Sequence, residues 1–421
     1  MITLRRFPTL ADPSEHPSVN PSPAPDPIDA AALAALVRPG ARIAIADGCG
    51  TPRAAFAALS ALARERGDLR ALLGWMPAAP EGLDLAAFAD ARTVMPGWGL
   101  RRAVTAGDVR AVPARLSATP ALVTGALRPD LLLVGAAPDP RGLVLGSEVS
   151  WVRSVIDAGV PIAAVVDDAL PRAAAGAPLP DDRTYVVGHV RLGPEEIAGP
   201  AEPSPEHRAI GRHVAGLLPR DARLQWAPGQ LGQAVVAAVL ERGRPVHVDS
   251  GLLGDGVVDL DEAGLLASDA VATYLVGTRR LYDWADARGR AGRPVVHGVE
   301  HTHDPVRLAA EPPLVAVNTA VEIDRDGQVN VEGTARALVG GIGGHPDYAA
   351  AATRSRRGLS VIALSSSHRG APTLVGRLSR PVTTASHDVD VVVTEHGVAD
   401  LRGLDRAERR DALRRVWDLP T

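Results

Sequence analysis

The chain has 421 residues and a formal net charge of −4, so it offers no general attraction for nucleic acid or for an anionic membrane. The sequence contains no lysine, which excludes a Walker P-loop and any Schiff-base or pyridoxal-phosphate mechanism. It contains one cysteine, Cys49, which excludes an internal disulfide and a cysteine-rich metal site.

Residues 8–28 are dominated by Pro, Ser, Asp and Glu, and we interpret residues 1–28 as a disordered leader. They contain no apolar run of signal-peptide length, and the chain has no stretch of about 18 apolar residues that would form a membrane span. A cytoplasmic location is therefore predicted, in keeping with a single free thiol.

Short apolar strands alternate with alanine-rich helices in the first half. Residues 42–46 are predicted as a strand, residues 47–52 as a turn and residues 54–64 as a helix. Further continuous apolar strands are predicted at 131–135 and 161–166. Continuous apolar strands between helices favour a parallel sheet that is covered on both faces.

A stretch rich in Gly, Pro and Glu at 193–205 is interpreted as a linker, and the pattern of the chain start recurs after it. The triplet at 41–43 (Ala-Arg-Ile) returns at 222–224 (Ala-Arg-Leu), although chance similarity in an alanine-rich chain is an alternative. The predicted fold is α/β, with two tandem open α/β domains and mostly parallel sheets. The domains span 29–195 and 205–421, and the second is predicted to contain strands at 246–249, 271–276, 314–318, 360–364 and 389–393 and a helix at 405–416.

A glycine-rich run, Gly340-Gly341-Ile342-Gly343-Gly344, lies in the second half. Such a run lets backbone N–H groups approach a phosphate or a developing oxyanion without obstruction by a Cβ atom. A tight connection without a functional role is the alternative. The run lacks the Gly-x-Gly-x-x-Gly spacing, so dinucleotide binding has little support.

Two carboxylates are candidates for chemistry. Glu395 follows the predicted strand at 389–393, and the carboxyl ends of parallel strands are where α/β sheets bind ligands. Glu395 is a candidate base or nucleophile, or else an acceptor for backbone hydrogen bonds in its turn. Asp249 shares a face with Gly251 if that segment is extended. Asp259 is predicted to begin or cap the following helix.

A group of histidines, His297, His301 and His303, lies close to two acidic residues. A His-x-His pair can bind a metal on a strand, but no third ligand has a recognisable spacing. We therefore predict a solvated loop and no metal site.

Four segments carry a resemblance to a known family. They are Asp-Gly-Val-Val-Asp-Leu at 255–260, the segment 317–329, Gly-Ile-Gly-Gly-His-Pro-Asp-Tyr at 341–348, and the segment 393–403. In these segments, and in order over about residues 28–416, the chain resembles the acetyl-CoA hydrolase/transferase family, which includes 4-hydroxybutyrate CoA-transferases.

This resemblance implies a CoA-transferase architecture with the active site between two domains, and a homodimer. It implies an acyl-CoA and a carboxylate as substrates, with no permanently bound cofactor. In the family, a glutamate attacks the thioester and a glycine loop stabilises the oxyanion. The corresponding loop contains Gly341, Gly343 and Gly344, Asn318 would bind near the thioester, and Glu395 would be a second active-site glutamate.

The sequence departs from the family where the nucleophile is expected. By ungapped match, Gly251 stands in place of the nucleophilic glutamate, and His345 stands where relatives commonly carry glutamine. Three interpretations remain open. The protein is an acyl-CoA enzyme in which Glu395 or Asp249 supplies the carboxylate, an inactive relative that binds acyl-CoA, or an enzyme for a different, phosphorylated sugar-like substrate.

Overall fold

The computed structural model describes residues 28–418. Residues 1–27, which make up nearly all of the predicted leader, lie outside the described residues. Within the described part, no helix combines the length and apolar character needed to cross a bilayer.

The first half is built on one sheet. Its strands are β1 (Arg42–Ile45), β2 (Arg70–Leu73), β3 (Asp90–Thr93), β4 (Arg110–Ala111), β5 (Leu131–Asp139), β6 (Gly142–Val144), β7 (Ile162–Asp167) and β8 (Thr184–Val190). They are ordered β4-β3-β2-β1-β5-β7-β8, all parallel, with β6 added antiparallel to β5. The accompanying helices are α1 (Ala30–Leu36), α2 (Phe56–Arg66), α3 (Arg101–Ala106), α4 (Thr119–Thr124) and α5 (Val152–Asp157).

The second half is built on a second, mainly parallel sheet. Its strands are ordered β10-β9-β13-β16-β20-β21, and only β21 is antiparallel. Their bounds are β9 (Arg223–Trp226), β10 (His247–Val248), β13 (Leu314–Thr319), β16 (Leu359–Ala363), β20 (Val391–Thr394) and β21 (Gly397–Asp400). Smaller sheets are formed by β11 (Leu252–Leu253), β12 (Tyr274–Leu275), β14 (Glu322–Asp324), β15 (Val329–Asn330), β17 (Ser367–His368), β18 (Ala371–Pro372) and β19 (Leu374–Val375).

The helices of the second half include the two that bear most directly on the site, α10 and α12. The bounds are α6 (Pro205–Leu217), α7 (Gln230–Arg242), α8 (Gly256–Glu262), α9 (Arg279–Arg290), α10 (Val299–Thr302), α11 (Pro305–Ala309), α12 (His345–Ala352) and α13 (Arg406–Val416). Helix α12 packs against β13 and β16, and this places its first turn at the carboxyl end of the second sheet.

The two sheets share a core. Alternate residues of a strand point to opposite faces, so Ile43 and Ile45 of β1 pack with α1 and α2, whereas Ala44 packs on the other face. That other face belongs to one apolar cluster that continues into the second half through Leu224 and Val317. The halves therefore meet across buried apolar surface.

The structure confirms the α/β class and the mainly parallel sheets. The two sheets share one local arrangement, because β1 and β9 each have the next strand of their sheet on one side and a later strand on the other. The prediction for Asp259 is wrong: Asp255 occupies the N-cap position of α8, and Asp259 lies in its first turn. Asp255 is the residue that accepts from Thr278 N and Oγ1.

Candidate functional site

A cavity of about 250 Å³ lies between the two halves. Trp75, Met95, Pro96, Trp98 and Leu116 of the first half line one side of it. The second half contributes Gln225, Trp226, Ala227, Pro228, Ser250, Gly251, Leu252, Tyr274, His303, Asn318, Thr319, Val331, Gly340, Gly341, Ile342, Gly344, His345 and Tyr348. None of these described lining residues carries a carboxylate or a guanidinium group. The cavity therefore suits an uncharged polar group.

Gly251, the position where the resemblance places the family nucleophile, lies in this cavity. A Cβ atom built on Gly251 would lie 3.4 Å from His303 Nε2 and 3.7 Å from Tyr348 Cε2, which are ordinary contacts. The site therefore has room for a side chain at position 251.

The glycine-rich run reaches the cavity because the two halves approach closely there. A Cβ on Gly97 would lie 2.7 Å from Gly340 Cα, and one on Gly341 would lie 2.9 Å from Pro96 Cδ. The carbonyl of Gly343, at φ +56°, accepts from Leu116 N at 2.9 Å. Gly341 and Gly344 line the cavity, and Gly344 is the N-cap of α12. Contacts from the first half thus fix the run at the start of a helix, where backbone N–H groups lack intrahelical partners.

Four buried side-chain atoms that line the cavity have no hydrogen-bond partner among residues 28–418: Gln225 Oε1, His303 Nε2, Asn318 Nδ2 and His345 Nε2. Leaving a buried polar atom unpaired costs about 1–3 kcal/mol. These four atoms are available to hydrogen-bond a polar ligand or ordered water in the cavity.

The Nδ1 atom of His345, at the first position of α12, lies 2.7 Å from Thr384 Oγ1. Burial of the ring lowers the pKa of His345 to about 4. The imidazole is therefore neutral near pH 7, and it presents Nε2 to the cavity as an uncharged polar group.

Asp249 does not line the cavity. Its buried carboxylate accepts from Arg307 Nη1 at 2.6 Å and from Arg307 Nη2 at 2.9 Å, and Arg223 Nη1 lies 3.6 Å away. Both carboxylate oxygens are thus engaged by arginine. In this arrangement Asp249 anchors the strand end that precedes Gly251.

Glu395 also lies outside the lining of the cavity. It follows β20, as the sequence predicts, and it accepts from Ser366 N at 2.9 Å and from Ser366 Oγ at 2.7 Å. Burial raises the pKa of Glu395, but the Ser366 hydrogen bonds outweigh it, so the net shift is downward. Glu395 is an ionised carboxylate bound to a neighbouring loop, and its part in catalysis stays a prediction.

A buried acidic cluster behind the cavity joins the two halves. Tyr274, which lines the cavity, donates its hydroxyl to Asp47 Oδ2 at 2.6 Å, and Trp75 N and Trp151 Nε1 donate to the same oxygen at 3.0 Å. Burial raises the pKa of Asp47 to about 6. Burial, with the nearby Asp47, raises the pKa of Glu148 to about 8. The sequence analysis missed both residues, because each is defined by contacts between distant segments.

The histidine group is divided by the structure. His297 and His301 stack with ring centroids 4.8 Å apart, whereas His303 is buried in the cavity. The prediction of a solvated loop is therefore wrong for His303. Over residues 28–418, no three His, Cys, Asp or Glu side chains converge in a way that would hold a metal ion.

Comparison with known proteins supports the resemblance. Residues 277–418 match the model of the acetyl-CoA hydrolase/transferase C-terminal domain. The chain is 31% identical over 220 residues to 4-hydroxybutyrate coenzyme A transferase of Clostridium kluyveri, covering 49% of this chain and 50% of that protein. It is 30% identical over 343 residues to succinyl-CoA:acetate/propanoyl-CoA:succinate CoA transferase of Fasciola hepatica, covering 76% of this chain and 70% of that protein.

The fold has a counterpart among solved structures. The crystal structure of 4-hydroxybutyrate CoA-transferase from Porphyromonas gingivalis superposes with a TM-score of 0.70 and 21% identity, covering 92% of this chain and 93% of that one. This similarity confirms the CoA-transferase architecture. Since the match to the Fasciola hepatica protein extends over more than two thirds of both chains, the chain belongs to the acetyl-CoA hydrolase/transferase family.

Proposed function

We propose that the chain acts on acyl-CoA thioesters and that the thioester carbonyl enters the cavity beside Gly251. CoA is then transferred to a carboxylate acceptor, in a CoA-transferase reaction, or the thioester is cleaved by water, in a hydrolase reaction. The observation that carries the proposal is the group of four unpartnered polar atoms in a cavity that Gly251 and the glycine-rich run also line. Family membership favours this substrate class over a phosphorylated sugar.

The cavity is suited to a carbonyl that becomes an oxyanion. Attack on a thioester puts negative charge on the carbonyl oxygen, and preorganised N–H donors stabilise that charge. The amide of Asn318 has an unpartnered Nδ2, and the run from Gly341 to Gly344 leads into the N-terminus of α12, whose partial positive charge favours an anion. We assign these groups, with Gly343 shaping the run, to binding of the thioester carbonyl.

A second cavity of about 510 Å³ adjoins the first and shares Trp98, Trp226 and Leu252 with it. It extends along α7 and the connecting segment that includes Ile197 and Pro203. The long arm of coenzyme A needs an extended path of this kind when its thioester is buried. We assign the second cavity to that arm.

The proposal is tested by incubating the purified protein with acetyl-CoA, with and without a carboxylate acceptor, while binding of CoA and release of its thiol are measured. Acceptor-dependent exchange would identify a transferase, and release without an acceptor a hydrolase. Gly251→Trp places a side chain much larger than glutamate in the cavity and should abolish acetyl-CoA binding. The matched control is Gly376→Trp, because Gly376 is exposed with no atom within 4 Å of an added Cβ. Absence of binding and turnover in the unmodified protein would refute the proposal.

The predicted catalytic role of Glu395 needs a test of its own. Glu395→Gln should lower the rate of CoA release if the carboxylate takes part in the reaction. An unchanged rate, with a lower free energy of unfolding, would show that Glu395 has only a structural role through its hydrogen bonds from Ser366.

We also propose that the protein is a homodimer and is located in the cytoplasm. The homodimer is inferred from the family, and light scattering on the purified protein would test it. Cys49 is a buried free thiol, which is compatible with a reducing compartment.

A further inference from the structure

His303 is the most deeply buried of the unpartnered groups in the cavity. It caps the short helix α10, and its side chain packs edge-on against the ring of Tyr348, with centroids 5.1 Å apart. A Cβ on Gly251 would lie 3.4 Å from His303 Nε2, and a Cβ on Gly344 would clash with the same atom. His303 Nε2 therefore lies between the position of the missing nucleophile and the glycine-rich run.

The neighbouring residue contacts the ring nitrogen that faces away from the cavity. Thr302 Oγ1 donates to the carbonyl of Gly298 at 3.2 Å and lies 2.8 Å from His303 Nδ1. A hydroxyl has one hydrogen to donate, so when Thr302 Oγ1 gives it to the Gly298 carbonyl, the oxygen serves Nδ1 as an acceptor. Nδ1 then carries the ring proton, and the lone pair of Nε2 faces the cavity.

We propose that His303 is the general base that activates water against the thioester, so that this member of the family hydrolyses acyl-CoA instead of transferring CoA to a carboxylate. This inference rests on the proposed function. It explains how the cavity can support thioester chemistry although glycine stands at the nucleophile position and no described lining residue carries a carboxylate.

The reaction balances without a further reagent. His303 Nε2 takes a proton from water, and the water oxygen bonds to the thioester carbon, which gives a tetrahedral oxyanion near the glycine-rich run. When the oxyanion collapses, the carbon–sulfur bond breaks, and the sulfur leaves with the proton from His303 Nε2. The products are a carboxylic acid and CoA, and His303 returns to its neutral form.

The surroundings keep the imidazole neutral before the reaction. Burial, with a smaller contribution from Arg307, lowers the pKa of His303 to about 3. Tyr348 and the Arg307–Asp249 ion pair are the other ionisable groups nearby. A negative charge at a distance of about 4–6 Å favours protonation of a histidine, so the developing oxyanion strengthens the base as the reaction proceeds.

The primary test compares His303→Gln with His301→Gln. Gln keeps polar atoms at position 303 but cannot accept the proton, whereas His301 is exposed and does not line the cavity. We expect His303→Gln to lower the rate of acetyl-CoA hydrolysis about 100-fold or more with acetyl-CoA binding retained, and His301→Gln to leave the rate unchanged. Hydrolysis in water enriched in oxygen-18 should place one heavy oxygen in each acetate during single turnover.

The inference and the proposed function can fail separately. If the unmodified protein hydrolyses acetyl-CoA and His303→Gln is equally fast, the role of His303 is overturned and acyl-CoA remains the substrate. If turnover requires a carboxylate acceptor, hydrolysis is overturned. If acetyl-CoA does not bind at all, the proposed function fails and the inference fails with it.

A second measurement does not depend on the folding of the His303 variant. Nitrogen-15 NMR of the unmodified protein should show a protonated Nδ1 and an unprotonated Nε2 for His303, and the opposite tautomer would refute the base. Thr302→Val should lower hydrolysis without loss of acetyl-CoA binding, because it removes the acceptor for Nδ1. Thr302→Ser keeps the hydroxyl and should hydrolyse acetyl-CoA at nearly the unmodified rate. If Thr302→Ser is as slow as Thr302→Val, Thr302 acts only through packing and the assigned tautomer is contradicted.

Discussion

Glu148 provides a quantitative test of the buried acidic cluster. The carboxylate is buried, accepts from Gly50 N at 3.0 Å and from Ser147 Oγ at 2.8 Å, and lies near Asp47. A Cβ on Gly48 would lie 2.6 Å from Glu148 Oε2, so the turn at Gly48 packs closely against the carboxyl group. Glu148→Gln keeps the shape of the protonated acid and removes its titration.

The size of the effect follows from the pKa of Glu148, which rises from 4.5 to about 8 in the fold. Because the folded state binds the proton more tightly than the unfolded chain, the stabilisation is complete below pH 4.5 and is lost as the pH rises through 8. One pKa unit corresponds to about 1.4 kcal/mol, so the free energy of unfolding should fall by about 3 to 4 kcal/mol between pH 5 and pH 8 because of this group.

The assay is urea denaturation at several pH values between 5 and 8. The unmodified protein should lose stability across this range, and Glu148→Gln should lose about 3 to 4 kcal/mol less. Asp47 shifts in the same direction and is present in both proteins, so the difference reports the titration of Glu148 together with its coupling to Asp47. Glu65→Gln, at an exposed position of α2, should keep the unmodified pH dependence. Equal pH dependence in the unmodified protein and Glu148→Gln would refute the reasoning.

Three further substitutions test the site. Gly251→Glu should introduce acceptor-dependent CoA exchange and a covalent adduct visible by mass spectrometry, whereas Gly251→Gln should not, and absence of the adduct would count against the assignment of position 251. Gly344→Ala should displace His303 and lower acetyl-CoA turnover at least tenfold, whereas the control Gly376→Ala should not affect it. Equal turnover rates in the two variants would contradict the close contact between Gly344 and His303. Arg307→Met should lower the free energy of unfolding by about 3 kcal/mol because it leaves Asp249 with one partner. The control, Arg38→Met, breaks an exposed ion pair and should change the free energy of unfolding little. Similar losses in the two variants would show that the Asp249 ion pair behaves as a surface pair.

Local patterns predicted much of the fold. The alternation of short apolar strands with helices identified β1, α2, β13 and β20, because fully buried parallel strands are continuous apolar runs. The C-terminal helix was predicted from residue 405, and Asp405 forms a capping box with Glu408.

The site was harder to predict because its contacts join distant parts of the chain. Asp47 and Tyr274 are 227 residues apart, and no local pattern indicates that one hydroxyl and one carboxylate share a hydrogen bond. His303 was assigned to a solvated loop because the histidine group offered no third metal ligand at a recognisable spacing, although its ring packs against Tyr348 from another helix. The Thr302-His303 pair was the available signal, since a hydroxyl beside a histidine can set its tautomer.

The apolar cluster shared by both sheets affects how the protein unfolds. Trp75 of the first half packs against Tyr274 of the second, with ring centroids 5.2 Å apart, so each ring loses a packing partner if the opposite half unfolds. Neither half can melt without exposing the surface of the other, so heating should give a single calorimetric transition. The same continuity opposes hinge-like separation of the halves, which leaves ligand entry to the loops at the rim of the cavity.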